Sequence, residues 1–211
     1  RTSDPDPSYK LVIYAHPSNY ATRIKYSYNE DYYVSSGNTT ISANYNDPGA
    51  NSSGINLSSV NVYLDGNLLG GCTATGIAVN CPVTGLSDGI HNIYGNVTDN
   101  AGNSLPIIGR IIVDSVAPVI GTITPTGIIN SDSTKITVGF TDPGSGVKNE
   151  KSSISLDDTP LNGCSFSATA ATCTVGGLQT GTRNISATIV DNAGNISTKT
   201  SSFTVSSAGR N

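Results

Sequence analysis

Tryptophan and methionine are absent from this 211-residue chain, and only 12% of its residues are charged. Soluble globular domains carry about twice that share of Asp, Glu, Lys and Arg, so hydroxyls, amides or attached sugars must keep this surface in water. The net charge of −4 comes with no basic run, which removes the electrostatic footprint that nucleic acid or anionic lipid requires. No stretch reaches the roughly 18 apolar residues of a spanning helix, so no membrane span is expected. Histidine occurs only at His16 and His91, and neither sits in a hydrolase or protease motif. Asp47, Asp65, Asp88, Asp99, Asp142 and Asp191 stand in turn sequences, where Asx geometry explains them better than acid–base work. A chain without an evident catalytic group is expected not to be an enzyme.

What the chain does contain is a duplication. Cys72, Cys81 and Asp99-Asn100-Ala101-Gly102-Asn103 return 92 positions later as Cys164, Cys173 and Asp191-Asn192-Ala193-Gly194-Asn195. Leu64-Asp65 and Gly85-Leu86 have counterparts in Leu156-Asp157 and Gly177-Leu178. A unit that repeats turns and cysteines is a structural module. Each cysteine pair encloses eight residues that read strand, turn, strand, and no third or fourth ligand lies nearby to make a zinc site. Disulfides Cys72–Cys81 and Cys164–Cys173 are expected, each contributing about 2.5–3 kcal/mol on the chain-entropy account. Such pairs belong to an oxidising compartment, and the chain is expected to be a mature exported form or a fragment of one.

Helical periodicity is missing, and short alternating runs are cut by Gly, Asn, Asp or Pro every roughly 8–12 residues, the pattern of a sandwich. Ile136, Val138 and Phe140 alternate with Thr137, Gly139 and Thr141, as do Ile41, Ala43 and Tyr45 with their neighbours. In the second copy strands are expected near 119–125, 134–141, 152–157, 160–165, 170–176, 182–191 and 197–205. The domains expected are 22–114 and 118–206, preceded by an extension at 1–21 and joined through 113–118, short and apolar enough for a semi-rigid rod. Asp99 to Asn103, Asp191 to Asn195, Leu86-Ser87-Asp88-Gly89-Ile90-His91 and the 113–120 junction resemble bacterial immunoglobulin-like (Big) domains of prokaryotic surface proteins. That resemblance covers roughly 22–206. It implies an all-β chain of two tandem immunoglobulin-like β-sandwich domains at a prokaryotic cell surface, and residues 1–21, which have no counterpart between the domains, add an extra N-terminal strand. The paired cysteines are not a general feature of that family.

The extra strand is residues 8–15, in which Tyr9, Leu11, Val12, Ile13 and Tyr14 form a strong β sequence ended by Pro17. It either covers its own first domain or adds to a sheet edge of a neighbouring copy. Eight of the ten tyrosines lie between Tyr9 and Tyr45, making the first third of the chain a candidate contact surface for another subunit or a carbohydrate, beside the plainer reading that they pack on their own sheet. Six sequons, at Asn38, Asn51, Asn56, Asn96, Asn184 and Asn195, are candidate N-glycosylation sites in a host with the machinery. No cofactor is expected; Asp99 with Asn103, Asp191 with Asn195, and Asp114 would suit calcium, while plain hairpin turns account for the same residues. A Lys–Asn isopeptide crosslink has only Lys25 to draw on near the first strand of the first repeat. The function expected is that of a filament or lattice subunit, self-associating by strand addition and tyrosine-rich contacts. The alternatives are an adhesin or carbohydrate-binding module and a spacer of a larger secreted or S-layer protein.

Overall fold

The computed structural model describes residues 11–12, 32–47 and 52–207. The chain divides between Asp114 and Ser115 into two compact units. The first contains β1 (Leu11–Val12), β2 (Tyr32–Val34), β3 (Thr39–Asn44), β4 (Ile55–Leu64), β5 (Asn67–Leu68), β6 (Thr73–Ala74), β7 (Ala78–Val83), β8 (Gly89–Asp99) and β9 (Ser104–Val113). The second contains β10 (Val119–Thr124), β11 (Gly127–Ile129), β12 (Thr134–Thr141), β13 (Ser153–Leu156), β14 (Thr159–Pro160), β15 (Ser165–Phe166), β16 (Ala170–Val175), β17 (Gly181–Val190) and β18 (Ile196–Val205).

Each unit is a two-sheet sandwich. In the first, β1-β3-β7-β6 faces β2-β9-β8-β4-β5; in the second, β10-β12-β16-β15 faces β11-β18-β17-β13-β14. Period-two alternation sends one side of each strand inward: Val79, Cys81 and Val83 of β7 are buried while Asn80 and Pro82 are exposed. Ile41 and Cys81 meet Val62, Ile93, Ile107 and Ile111 in the first core. Ile136, Phe140 and Cys173 meet Ile154, Ile185 and Phe203 in the second. The turn after β4 has φ of 50° at Asp65 and 82° at Gly66, and its copy has 48° at Asp157 and 64° at Asp158. Two consecutive positive φ values give the hairpin twist of a primed turn, a conformation Asp tolerates and Gly adopts freely.

The run expected at 119–125 is β10, antiparallel to β12, and a strand not expected from the sequence, β11, follows it, parallel to β18 in the opposite sheet. Pro125, with no N–H to offer a ladder, stands between the two. The run expected at 160–165 divides into β14, paired with β13, and β15, paired with β16, so the chain crosses between sheets over 161–164. Alternation is the same in either sheet, and the crossing leaves no mark in it.

Candidate assembly site

The two units treat one sheet edge differently. Allowing for the three extra residues that the first copy carries between Asp47 and its cysteines, β3 corresponds to β12, Ala43 to Val138 and Tyr45 to Phe140. The outer edge of β12 is covered by β10 through Val119↔Thr141, Ile120↔Phe140, Ile123↔Val138 and Thr124↔Thr137. Among the described residues, the matching edge of β3 meets the two-residue β1, in parallel, through Leu11↔Ala43 and Val12↔Asn44. Of the sequence-named assembly strand, Tyr9, Ile13 and Tyr14 lie outside the described residues.

The wall beside that edge also differs. In the second unit Lys199 Nζ donates to Gly121 O at 2.6 Å and lies 3.3 Å from Ile120 O, while the Ser197 hydroxyl donates to Pro118 O, so β18 holds β10 through polar anchors. The residues 92 positions earlier are Leu105 and Ile107, both buried. An apolar wall cannot hydrogen-bond a strand's carbonyls; it suits a strand that brings apolar side chains.

A second difference lies on the outer face of the five-stranded sheets. In the first unit Leu68, Tyr63, Tyr94 and Ile108 stand in register across β5, β4, β8 and β9, with exposures of 59%, 37%, 51% and 38%. The same row in the second unit reads Pro160, Ser155, Ser186 and Thr200. Tyr63 and Tyr94 fall outside the tyrosine-rich first third, and the antiparallel pairing of the non-consecutive strands β4 and β8 brings them side by side; the turns at Asp65-Gly66 and Asp99–Asn103 add Leu68 and Ile108 to the row. Tyr45, one of the eight tyrosines in that first third, is buried instead. Its hydroxyl lies 2.8 Å from Thr75 O and 2.9 Å from Ala78 O, and desolvation raises its pKa.

The structure joins Cys72 to Cys81 and Cys164 to Cys173, pinning each crossover chain to the sheet it enters. Asp99 accepts hydrogen bonds from Asn103 N at 2.8 Å and Asn103 Nδ2 at 2.7 Å. Asp191, fully buried, takes the same two bonds from Asn195, both at 2.7 Å. These aspartates close the hairpin turns, and the bonds from Asn103 hold the Asp99 carboxyl below its ordinary pKa. Asp114 is buried at the end of β9, its N–H bonded to Val34 O. In the second unit Asp142 and Asp191 offer carboxylate oxygens within 4.8 Å of each other. Among the sequons, Asn38, Asn96 and Asn184 are exposed, Asn56 and Asn195 are half-buried, and Asn51 lies outside the described residues.

No family model matches the chain, and no curated protein matches it in sequence. Among solved structures, the fibronectin(III)-like modules of Clostridium thermocellum CbhA share the arrangement, with a TM-score of 0.52 at 14% identity over 90% of this chain and 96% of theirs. The chain is a tandem pair of immunoglobulin-like sandwiches. Titin domains I67–I69 score 0.49 at 14% identity over 92% of this chain and 64% of theirs. Sidekick-1 immunoglobulin domains 1–4 score 0.39 at 12% identity over 93% and 48%. At these identities the likeness establishes fold alone. No helix among the described residues is long and apolar enough to cross a membrane, and two disulfides in immunoglobulin-like domains point to a secreted or extracellular setting.

Proposed function

We propose that this chain is a non-enzymatic structural protein of the Big kind at a prokaryotic cell surface, a subunit of a filament or lattice whose copies join by strand addition to the first immunoglobulin-like domain. The observation that carries this reading is the edge of β3, where β1 supplies two parallel pairs while β10 supplies four antiparallel pairs on β12. Residues 8–15 of a neighbouring copy take the place at β3 that β10 holds at β12. Such a strand extends the main-chain ladder and brings Leu11 or Ile13 against the wall of Leu105 and Ile107, each burial being worth about 1.5–3 kcal/mol. This role calls for no cofactor. Exposed Asn38, Asn96 and Asn184 are the sequons best placed to carry sugar. Deleting residues 1–16 is expected to leave a monomer with native circular dichroism that forms no fibres under the electron microscope; normal fibres from that truncation would refute strand addition.

A second reading, an adhesin or carbohydrate-binding module, is favoured by the exposed Tyr63–Tyr94 row, since aromatic faces stack on sugar rings. Loss of glycan-array binding in the Tyr63→Ala, Tyr94→Ala double variant, with fibres intact, would assign that row to sugar.

A further inference from the structure

The loop that follows the disulfide hairpin is fastened in both domains by the same contacts, made with different chemistry. In the first, His91 Nδ1 lies 2.7 Å from Asp65 Oδ2 and Nε2 lies 2.9 Å from Ser87 O, while Asn92 N donates to Asp65 Oδ1 at 2.8 Å. In the second, Arg183 Nη1 donates to Asp157 Oδ2 at 2.9 Å, its Nε and Nη2 donate to Gln179 O at 3.2 and 2.9 Å, and Asn184 N donates to Asp157 Oδ1 at 2.8 Å. Every participant has its counterpart 92 positions away. Only the cation changes.

Both partners of His91 are acceptors. A neutral imidazole has one N–H, so one ring nitrogen would turn a lone pair toward an oxygen; only the imidazolium, a donor at both nitrogens, satisfies the two contacts. Arg183 donates to the same acceptors throughout the accessible pH range. The His91 side chain is 12% exposed, so water replaces a lost partner poorly.

We infer that the 84–88 loop of the first domain is a pH-sensitive latch closed by protonated His91, and that its copy in the second domain, closed by Arg183, stays shut across the same range. The loop in turn holds the start of β3, with Leu86 N donating to Gly37 O at 3.1 Å and Gly85 N to Asn38 Oδ1 at 2.9 Å. Opening the latch loosens that strand's entrance.

The ionisable groups on the surrounding elements agree with this. His91 is in register with Ile111 of β9, which pairs with Tyr32 of β2, whereas Arg110 pairs with Asn92 on the opposite face. Asp65 on the β4–β5 turn, Asp88 within the loop and the Tyr32 phenol are therefore the groups to count. The hydrogen bond to Ser87 O and then the Asp65 side chain raise the imidazole's pKa, while His91 and Asn92 lower that of Asp65. With the folded His91 pKa raised, its stabilisation is complete below the ordinary imidazole value of about 6.5 and is lost as pH rises through the folded value.

Hydrogen exchange followed by NMR on the full chain, from roughly two units below to two above that ordinary value and corrected for intrinsic exchange, tests the latch directly. Protection of the Leu86 and Asn92 amides is expected to fall several-fold as His91 titrates, with Leu178 and Asn184 unchanged. His91→Arg is expected to abolish the fall, and Arg183→His to transfer it to the second domain. Constant protection at Leu86 and Asn92 while the His91 ring titrates, or an equal fall in His91→Arg, would overturn the inference.

Discussion

The second domain closes the edge beside β12 with its own β10, tethered by Ser197 and Lys199, whereas in the first, among the described residues, β3 meets a two-residue parallel partner and the matching wall is Leu105 and Ile107. On the outer sheet the second domain presents Pro160, Ser155, Ser186 and Thr200 where the first presents Leu68, Tyr63, Tyr94 and Ile108. Both differences run the same way. In a fold duplicated with its core and disulfides preserved, edges and outward faces can change without touching the interior, so the two copies agree inside and differ there.

All ten tyrosines lie at or before Tyr94 and tryptophan is absent, so tyrosine fluorescence reports the first domain while circular dichroism reports both. Phe203→Ala, emptying the second core, is expected to cost about 3–5 kcal/mol. It should lower a denaturant midpoint seen by circular dichroism and leave the tyrosine transition in place; Ile111→Ala, at the matching position, should cost about 2–5 kcal/mol and move the tyrosine transition. Equal movement of both signals in either variant would break the comparison. Replacing Cys72 and Cys81 by alanine is expected to cost the first domain about 2.5–3 kcal/mol, and replacing Cys164 and Cys173 the same in the second, again separable by the two probes.

Smaller effects sharpen the contrast. A Cβ at Gly95 would run into the main-chain oxygen of Asn61, where β4 carries a register irregularity between Asn56 and Asn61, while its counterpart Ala187 is accommodated opposite Ile154. Gly95→Ala should destabilise the first domain by about 1–3 kcal/mol, and Ala187→Gly the second by about 0.5–1 kcal/mol, both read as denaturant midpoints. Least in size is the pH response. Hydrogen bonds from His91, Asn103 and Asn184 respectively lower the pKa of Asp65, Asp99 and Asp157, so their contribution is present above the ordinary carboxylate value of about 3.9 and is lost in both domains as pH falls through the folded values. On the alkaline side only the tyrosine-detected midpoint should decline, because only the first domain relies on His91.

The sandwich class was legible because Ile136, Val138 and Phe140, and likewise Ile41 and Ala43, alternate strictly over short runs between turn residues. The sheet to which each piece belongs was not, since β14 and β15 would read alike in either sheet. The exposed row was hidden for a related reason: Tyr63, Tyr94 and Ile108 are far apart in sequence and become neighbours only through strand register. Tyr45 shows the converse. A tyrosine in a tyrosine-rich stretch was open to a contact role, and its place at the inward phase of the β3 alternation decides for the core. The His91 latch was legible only in part, as a histidine without a copy in the second repeat, because its two acceptors come from separate turns.

One side chain sets a clock. The Asn195 amide nitrogen that would carry a sugar is bonded to the carboxylate of Asp191 inside the folded second domain, so a glycan can be installed there only ahead of folding, whereas outward-facing Asn184 is open to the transferase afterwards. Were the chain glycosylated, the ratio of occupancy at these two positions would record whether decoration or folding came first.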